Sequence, residues 1–204
     1  MTRFWLIRHA LVEENARARL YGVQDVEICP HTLEEQAPDY AALARALPKG
    51  AIWYVTPLSR TRRTAEAIIA GGYGPVTLHV EPGLIEQNLG TYQGLPHAEL
   101  PQYLAEPAHP FWPLSGTERP PQGESMQDVI VRVGSAMEDL AARHPGHDVV
   151  IVSHGGAIRG AVAHALQIQA DNALHMSVQN ISLTKLERLP EGWRVVALNT
   201  HPAQ

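Results

Sequence analysis

The chain has 204 residues, 45% of them apolar and 18% charged, with a formal net charge of −5. That length supports one compact domain with a real core. The acidic balance argues against a nucleic-acid partner, so any anion must be bound by a local cluster of arginines. The single cysteine, Cys29, excludes an internal disulfide. No window approaches the roughly 18 uncharged apolar residues of a membrane span, and MTRFWLIRHA reads as a strand, not a signal peptide. A cytoplasmic protein with no membrane partner is expected.

In chain order, Arg3–Ile7 reads as a first buried strand, Leu33–Leu47 as a helix and Ala51–Val55 as a second strand. Arg60–Ala70 follows as a helix and Val76–Val80 as a third strand. Glu124–Arg143 is the clearest helix, because Met126, Val129, Ile130, Val133, Met137, Leu140 and Ala141 recur at helical spacing. Asp148–Val152 is a fourth strand and Gly156–Leu166 a fourth helix. Ile181–Leu189 and Trp193–Leu198 flank Pro190-Glu191-Gly192 as a hairpin. Strands alternating with helices predict an α/β fold, a three-layer α/β/α sandwich on a mostly parallel sheet. One domain spans residues 1–204. Residues Pro96–Pro121 carry seven prolines together with Tyr103, Phe111 and Trp112. They cannot form a core strand or a long helix, and they read either as a surface loop or as a cap over a site.

Three strands run into polar residues. The first ends in Arg8-His9, the second in Thr56-Pro57-Leu58-Ser59-Arg60, the fourth in Ser153-His154-Gly155-Gly156. Ligands of open parallel sheets bind at the carboxyl ends of strands. If these strands are neighbours, two arginines and two histidines converge. Arginine forks match phosphate oxygens, a histidine can attack phosphorus and carry the phosphoryl group covalently, and a second can stabilise the developing charge. Gly155-Gly156 opens a helix whose free N–H groups would add to an anion site. The remaining histidines show no metal-site spacing with a cysteine or carboxylate partner, so no metal and no cofactor is expected. Taken singly, each motif could equally be an incidental loop or turn feature; their shared placement is the signal.

With these residues in view, the chain resembles the histidine phosphatase superfamily, the phosphoglycerate-mutase-like family, over nearly its whole length. Leu6-Ile7-Arg8-His9 with Asn15, Ser59-Arg60-Thr61-Arg62-Arg63-Thr64-Ala65, Leu84-Ile85-Glu86 with Gly90-Thr91-Tyr92-Gln93-Gly94, Gly123-Glu124-Ser125 with Arg132, Val150–Gly156 with Ile158-Arg159, and Asn180 with Ser182-Leu183-Thr184 resemble its motifs in order. The resemblance implies His9 as nucleophile, Arg8, Arg60 and His154 as the phosphate pocket, and Glu86 as proton donor. A leaving alkoxide needs a proton, and a carboxylic acid can supply it and later activate water. Gly155 and Asn15 join the expected phosphate ligands; Asn15 could equally be a turn residue. Arg17 and Arg19 read as a solvated loop or as holders of a second anionic group. Two positions depart from the family pattern. Ala10 stands where Gly is usual, adding a methyl beside the nucleophile, and Val12 stands where Thr is usual, removing a hydroxyl.

The expected activity is a metal-independent phosphomonoesterase acting on a small phosphorylated metabolite, in a branch resembling α-ribazole phosphatases. The alternatives are a phosphoglycerate mutase-type phosphotransferase and a non-catalytic phospho-ligand binding protein. Mutases of the family resemble one another in paired arginines within the insertion, where this chain has only Arg119. The insertion's aromatics predict a substrate with one phosphate and a partly apolar or ring-shaped body. Trp5, Trp53 and the C-terminal hairpin are candidate surfaces for a homodimer.

Overall fold

Apolar runs in strands β1 (Thr2–Arg8), β2 (Ile52–Val55), β3 (Leu78–Val80) and β4 (Asp148–Ser153) build a parallel sheet. The hairpin β5 (Leu183–Leu189) and β6 (Gly192–Thr200) extends it antiparallel, giving the order β3-β2-β4-β1-β5-β6 in this computed structural model, which describes residues 1–202. The helices are α1 (Glu14–Arg17), α2 (Pro30–Glu35), α3 (Ala37–Ala46), α4 (Ser59–Ile68), α5 (Met126–Arg143), α6 (Gly155–Leu166) and α7 (Ala170–Leu174). No helix among the described residues is long and apolar enough to cross a membrane.

Side-chain alternation on β4 shows why the sheet is covered twice. Val149 and Ile151 pack with Met126, Val129, Val133, Met137 and Leu140 of α5, whereas Val150 and Val152 pack with Leu43 of α3 and Ala65 and Ile68 of α4. A parallel sheet buried on both faces has to read as a continuous apolar run, and DVVIV does. The apolar stripe foreseen on the long helix is buried at all seven positions. That helix starts after Ser125, whose hydroxyl and the Asp128 carboxylate form a reciprocal capping box, so Glu124 lies just outside it.

The other differences have local causes. The single helix expected over Leu33–Leu47 is two, broken at Gln36, because a continuous helix would set the Pro38 ring against the carbonyl of Glu34. Helix α4 ends at Ile68 and continues as a wide turn through Gly72, at φ 113°. The third strand is shorter than Val76–Val80, and α1 and α7 are too short to announce themselves by periodicity. Trp53 is 1% exposed and packs edge-on against Tyr73 at 4.8 Å, so it belongs to the core and offers no dimer surface.

Within Pro96–Pro121 the only regular element is a short 3-10 turn, Leu100–Gln102. The segment has a small apolar cluster of its own, in which Leu100 and Leu114 meet Leu20, Leu89 and Tyr92. Its far end is seated on α7: the Gly116 N–H donates to Asp171 Oδ1 at 2.7 Å, and a Cβ at Gly116 would lie 2.7 Å from the Asp171 nitrogen. Backbone cannot swing aside as a side chain can. Gly116→Ala is therefore expected to cost about 1–3 kcal/mol, read as a lowered urea midpoint at unchanged slope. An unchanged midpoint would show that the segment is not seated on α7.

Candidate active site

Strand register assembles the site. Arg8 is paired with Ser153 and Val55 with Val152, so at the ends of three adjacent strands His9 comes opposite His154 and Thr56 opposite Ser153. The rings of His9 and His154 stand edge to face with centroids 5.2 Å apart, 1% and 0% exposed. His9 is clamped through its backbone, its N–H on the Ser153 carbonyl at 2.9 Å and its carbonyl accepting the Asn180 carboxamide at 2.8 Å.

His9 Nδ1 is 2.7 Å from the Ala10 carbonyl oxygen. A carbonyl only accepts, so Nδ1 carries the hydrogen and Nε2 keeps its lone pair. Burial, and then the charges of Arg60 and Arg8, hold the His9 pKa well below its ordinary value of 6.5. Burial, Arg60 and His9 do the same to His154. Both shifts favour the neutral imidazole, the form that an attacking histidine requires.

The arginines are held by carbonyls. Arg60 is fully buried and donates to the carbonyls of Gly22 and Gln24, each at 2.7 Å, while its guanidinium stacks on Tyr21 at 5.2 Å. Arg8 donates to the Val178 carbonyl at 2.6 Å. Neither makes an ion pair among the described residues. Buried nitrogens without any partner remain at Arg8 Nε, Arg60 Nε and His154 Nδ1. Buried N–H groups are normally satisfied, so the free Nε–H donors of the two arginines are what a bound phosphoryl group would complete. His154 Nε2 is meanwhile held 2.9 Å from Thr56 Oγ1.

Glu86 comes from the loop after β3. Its Oε1 accepts the Gln87 N–H at 2.9 Å and its Oε2 the Gly156 N–H at 3.2 Å, at the start of α6. A Cβ at Gly156 would collide with this carboxylate, which is why glycine is needed there. The loop is tied to β4 by Ser153 Oγ on the Leu84 carbonyl at 2.7 Å. It is tied to α5 by Arg132, which donates to the carbonyls of Gly83, Ile85 and Glu86 and pairs with Glu124 at 2.7 Å. Gly155 is the first buried residue of α6, with Arg8 Nε 3.4 Å from where its Cβ would be.

A cavity of about 240 Å³ opens beside this cluster, lined by Arg8, Glu86, Gln87 and Trp112 and, on its outer side, by Arg17, Arg19, Tyr21 and His97. Not every expected residue joins it. Asn15 is exposed, its carboxamide oxygen turned back on the Ala16 N–H at 2.6 Å, and it borders a neighbouring recess with Glu13. Of the insertion's aromatics, Trp112 lines the cavity; Phe111 is 65% exposed and lies against His109 and His175 instead. Ala10 packs its methyl into the core with Ile7 and Tyr40, and Val12 is likewise buried, so both departures are absorbed by packing. Sequence reasoning missed Thr56 and Gln87, and gave Arg159 no role. Burial is their signal: Gln87 is 1% exposed and Arg159 7%, yet both are polar.

With this geometry in place, the comparisons with known proteins agree. Residues 4–201 match the family profile of the Histidine phosphatase superfamily (branch 1). The chain belongs to that superfamily. It is 32% identical over 196 residues to the "probable phosphoglycerate mutase GpmB" of Cronobacter sakazakii, covering 95% of this chain and 88% of that protein. It is 27% identical to the metal-independent phosphoserine phosphatase of Arabidopsis thaliana, covering 97% and 83%. The structure of a mycobacterial glucosyl-3-phosphoglycerate phosphatase superposes with a TM-score of 0.82 at 26% identity, covering 97% of this chain and 98% of that one.

The lowered imidazole pKa values have a sign that can be checked. Unfolded histidines take up protons near 6.5 and these two do not, so their contribution to stability is lost as pH falls below that value. The NMR ring signals of His9 and His154 are expected to stay at neutral-imidazole positions from about pH 7.5 to about 5.5. A midpoint at or above 6.5 for either ring would show that the folded site does not hold it neutral.

Proposed function

We propose that the protein is a phosphomonoesterase that passes the phosphoryl group through His9. The observation that carries this reading is the backbone-clamped His9 with its Nε2 lone pair uncommitted, beside partnerless Nε–H donors of the buried Arg60 and the half-buried Arg8. His9 Nε2 attacks phosphorus, the bond to the ester oxygen breaks, and Glu86 gives the departing oxygen its proton. Arg8, Arg60 and His154 hold the other phosphoryl oxygens, with the Gly155 N–H at the start of α6 joining them, since the Gly156 N–H is held by Glu86. The Glu86 carboxylate then takes a proton from water, whose oxygen attacks phosphorus as the P–N bond breaks, restoring neutral His9. Arg8 and Arg60 supply the positive field that a metal would otherwise provide, so turnover is read as metal-independent. The phosphatase relatives support hydrolysis. So does Arg119, the insertion's only arginine, because it is paired with Asp128 at 2.5 Å and is not available to a second phosphate.

One observation favours phosphoryl return to a bound product instead. Arg17 and Arg19 line the same cavity as Glu86, and neither forms an ion pair among the described residues. A doubly anionic substrate would find them, and the Cronobacter relative is named as a mutase. The apolar wall formed by Leu20, Leu89, Trp112 and Pro113 suits a monophosphate with a less polar body. Comparing kcat/KM for ring-bearing monophosphates with that for bisphosphorylated glycerates separates the two readings, since a clear preference for the bisphosphates would select the mutase.

His9→Ala is expected to abolish phosphate release. Wild type given labelled substrate and quenched should yield an acid-labile, base-stable phosphoprotein, and activity should survive dialysis against a strong chelator. Undiminished turnover in the alanine variant would reject the mechanism, and loss on chelation reversed by a divalent cation would reject metal independence. Glu86→Gln is expected to slow esters with poor leaving groups by about a hundredfold, within the range of general-acid contributions, while nitrophenyl phosphate is spared. Equal losses on both would remove Glu86 from the role of acid.

A further inference from the structure

Resting on the reading of Glu86 as proton donor, we propose that Trp112 is a positioning residue for that acid, so that the seating of the 96–121 segment and the delivery of the proton are one event. Trp112 is the point where this segment reaches both halves of the site. Its indole Nε1–H donates to Gln87 Oε1 at 3.1 Å. Gln87 in turn donates its side-chain amide to the Glu124 carbonyl at 2.8 Å and its backbone N–H to Glu86 Oε1 at 2.9 Å. The residue that Trp112 grips is therefore the one whose backbone grips the acid.

The other face of the indole meets the phosphate side. The Arg159 guanidinium stacks on the ring with Cζ 4.6 Å from its centroid, Nε donating to the Met176 carbonyl at 2.8 Å and Nη1 buried without a partner. Arg159 sits four residues along α6 from Gly155, and its Nη1 would be 3.1 Å from a Gly155 Cβ. Trp112 Cζ2 would be 3.5 Å from a Cβ at Gly156, the residue whose N–H holds Glu86 Oε2. The indole thus spans from Gln87 to the first turn of α6, the two places from which the Glu86 carboxylate is hydrogen-bonded. A cation stacked on an aromatic face gains most when desolvated, and Arg159 is 7% exposed. Without the indole, Gln87 Oε1 loses its donor, Arg159 loses its stack, and nothing else from the segment braces the carboxylate.

A structural contact and a positioning role differ in what they do to the leaving group. Substituted phenyl phosphates, from phenyl to dinitrophenyl, keep one shape while the leaving oxygen grows less basic, so the slope of log kcat/KM against leaving-group pKa reads proton donation alone. Trp112→Leu is expected to lower kcat/KM for phenyl phosphate by about tenfold or more while dinitrophenyl phosphate stays within about threefold. Trp112→Phe, which keeps the ring over Arg159 but lacks the N–H, should shift the slope in the same direction by less, and it guards against a leucine variant that fails to fold. In a Glu86→Gln background, Trp112→Leu should steepen the slope no further, because two residues acting through one group are not additive. Equal losses on every ester, or steepening that adds to that of Glu86→Gln, would overturn the proposal while leaving Glu86 as the acid. An unaltered slope in Glu86→Gln alone would instead remove the acid itself, and with it both readings.

Discussion

The Arg60 guanidinium and two imidazoles are buried together at the ends of three adjacent strands, with the half-buried Arg8 and a single carboxylate among them. Unpaired buried charge is costly, and the surrounding structure can be understood as the means of bearing that cost. The arginines are held by backbone carbonyls of Gly22, Gln24 and Val178, which lower the cost without neutralising the charge. Had carboxylates been used, the site would be more stable empty and less able to bind an anion. The same field lowers the pKa of both histidines, favouring the neutral form in which the proposed nucleophile would attack. The charges left uncompensated here are the ones that the proposed phosphate would meet.

The proposed proton donor is mounted differently. Glu86 does not leave the end of a register-aligned strand as His9 and His154 do. It hangs from a loop whose carbonyls are gathered by Arg132 of α5, and Arg132 is itself fixed by Glu124. The capping box at Ser125 sets where α5 begins, and so where Arg132 stands relative to that loop. A helix start, an ion pair and three carbonyls thus form a chain of local constraints that ends at a carboxylate resting on the Gly156 N–H. The proposed phosphate pocket and the proposed acid are thus built on different elements that meet at the first turn of α6.

This division explains what the sequence made legible. The strand-end residues stood out because strand cores are apolar runs and polar residues at their ends are conspicuous, so Arg8, His9 and His154 could be placed at one sheet edge before any coordinates. The α5 stripe was legible because burial on one face imposes a period. Gln87 and Thr56 were not, since each acts through hydrogen bonds to residues far away in sequence, and nothing in the local pattern of an isolated polar residue distinguishes a buried one from a solvated one. Asn15 had two readings, phosphate ligand and turn residue, and its side chain here satisfies the adjacent backbone as a turn residue does, a local competition that short amides often win. Trp53 misled for a similar reason, since an aromatic in a strand reads alike whether it faces solvent or a second layer of helices.

The insertion was the least legible segment, and the reason is instructive. Its prolines excluded regular structure without specifying any alternative, so all three aromatics looked equivalent. Position relative to the cavity separates them. Trp112 has a donor with a partner across the site and a face with a cation on it, whereas Phe111 has neither and remains at the surface beside His109 and His175. An indole satisfies an acceptor on one edge while presenting an apolar face, which no phenyl ring can do. A segment too irregular to hold its own hydrogen-bond ladder can still be located by one side chain of this kind, and the side chain that locates it is in contact with both the acid loop and the phosphate helix.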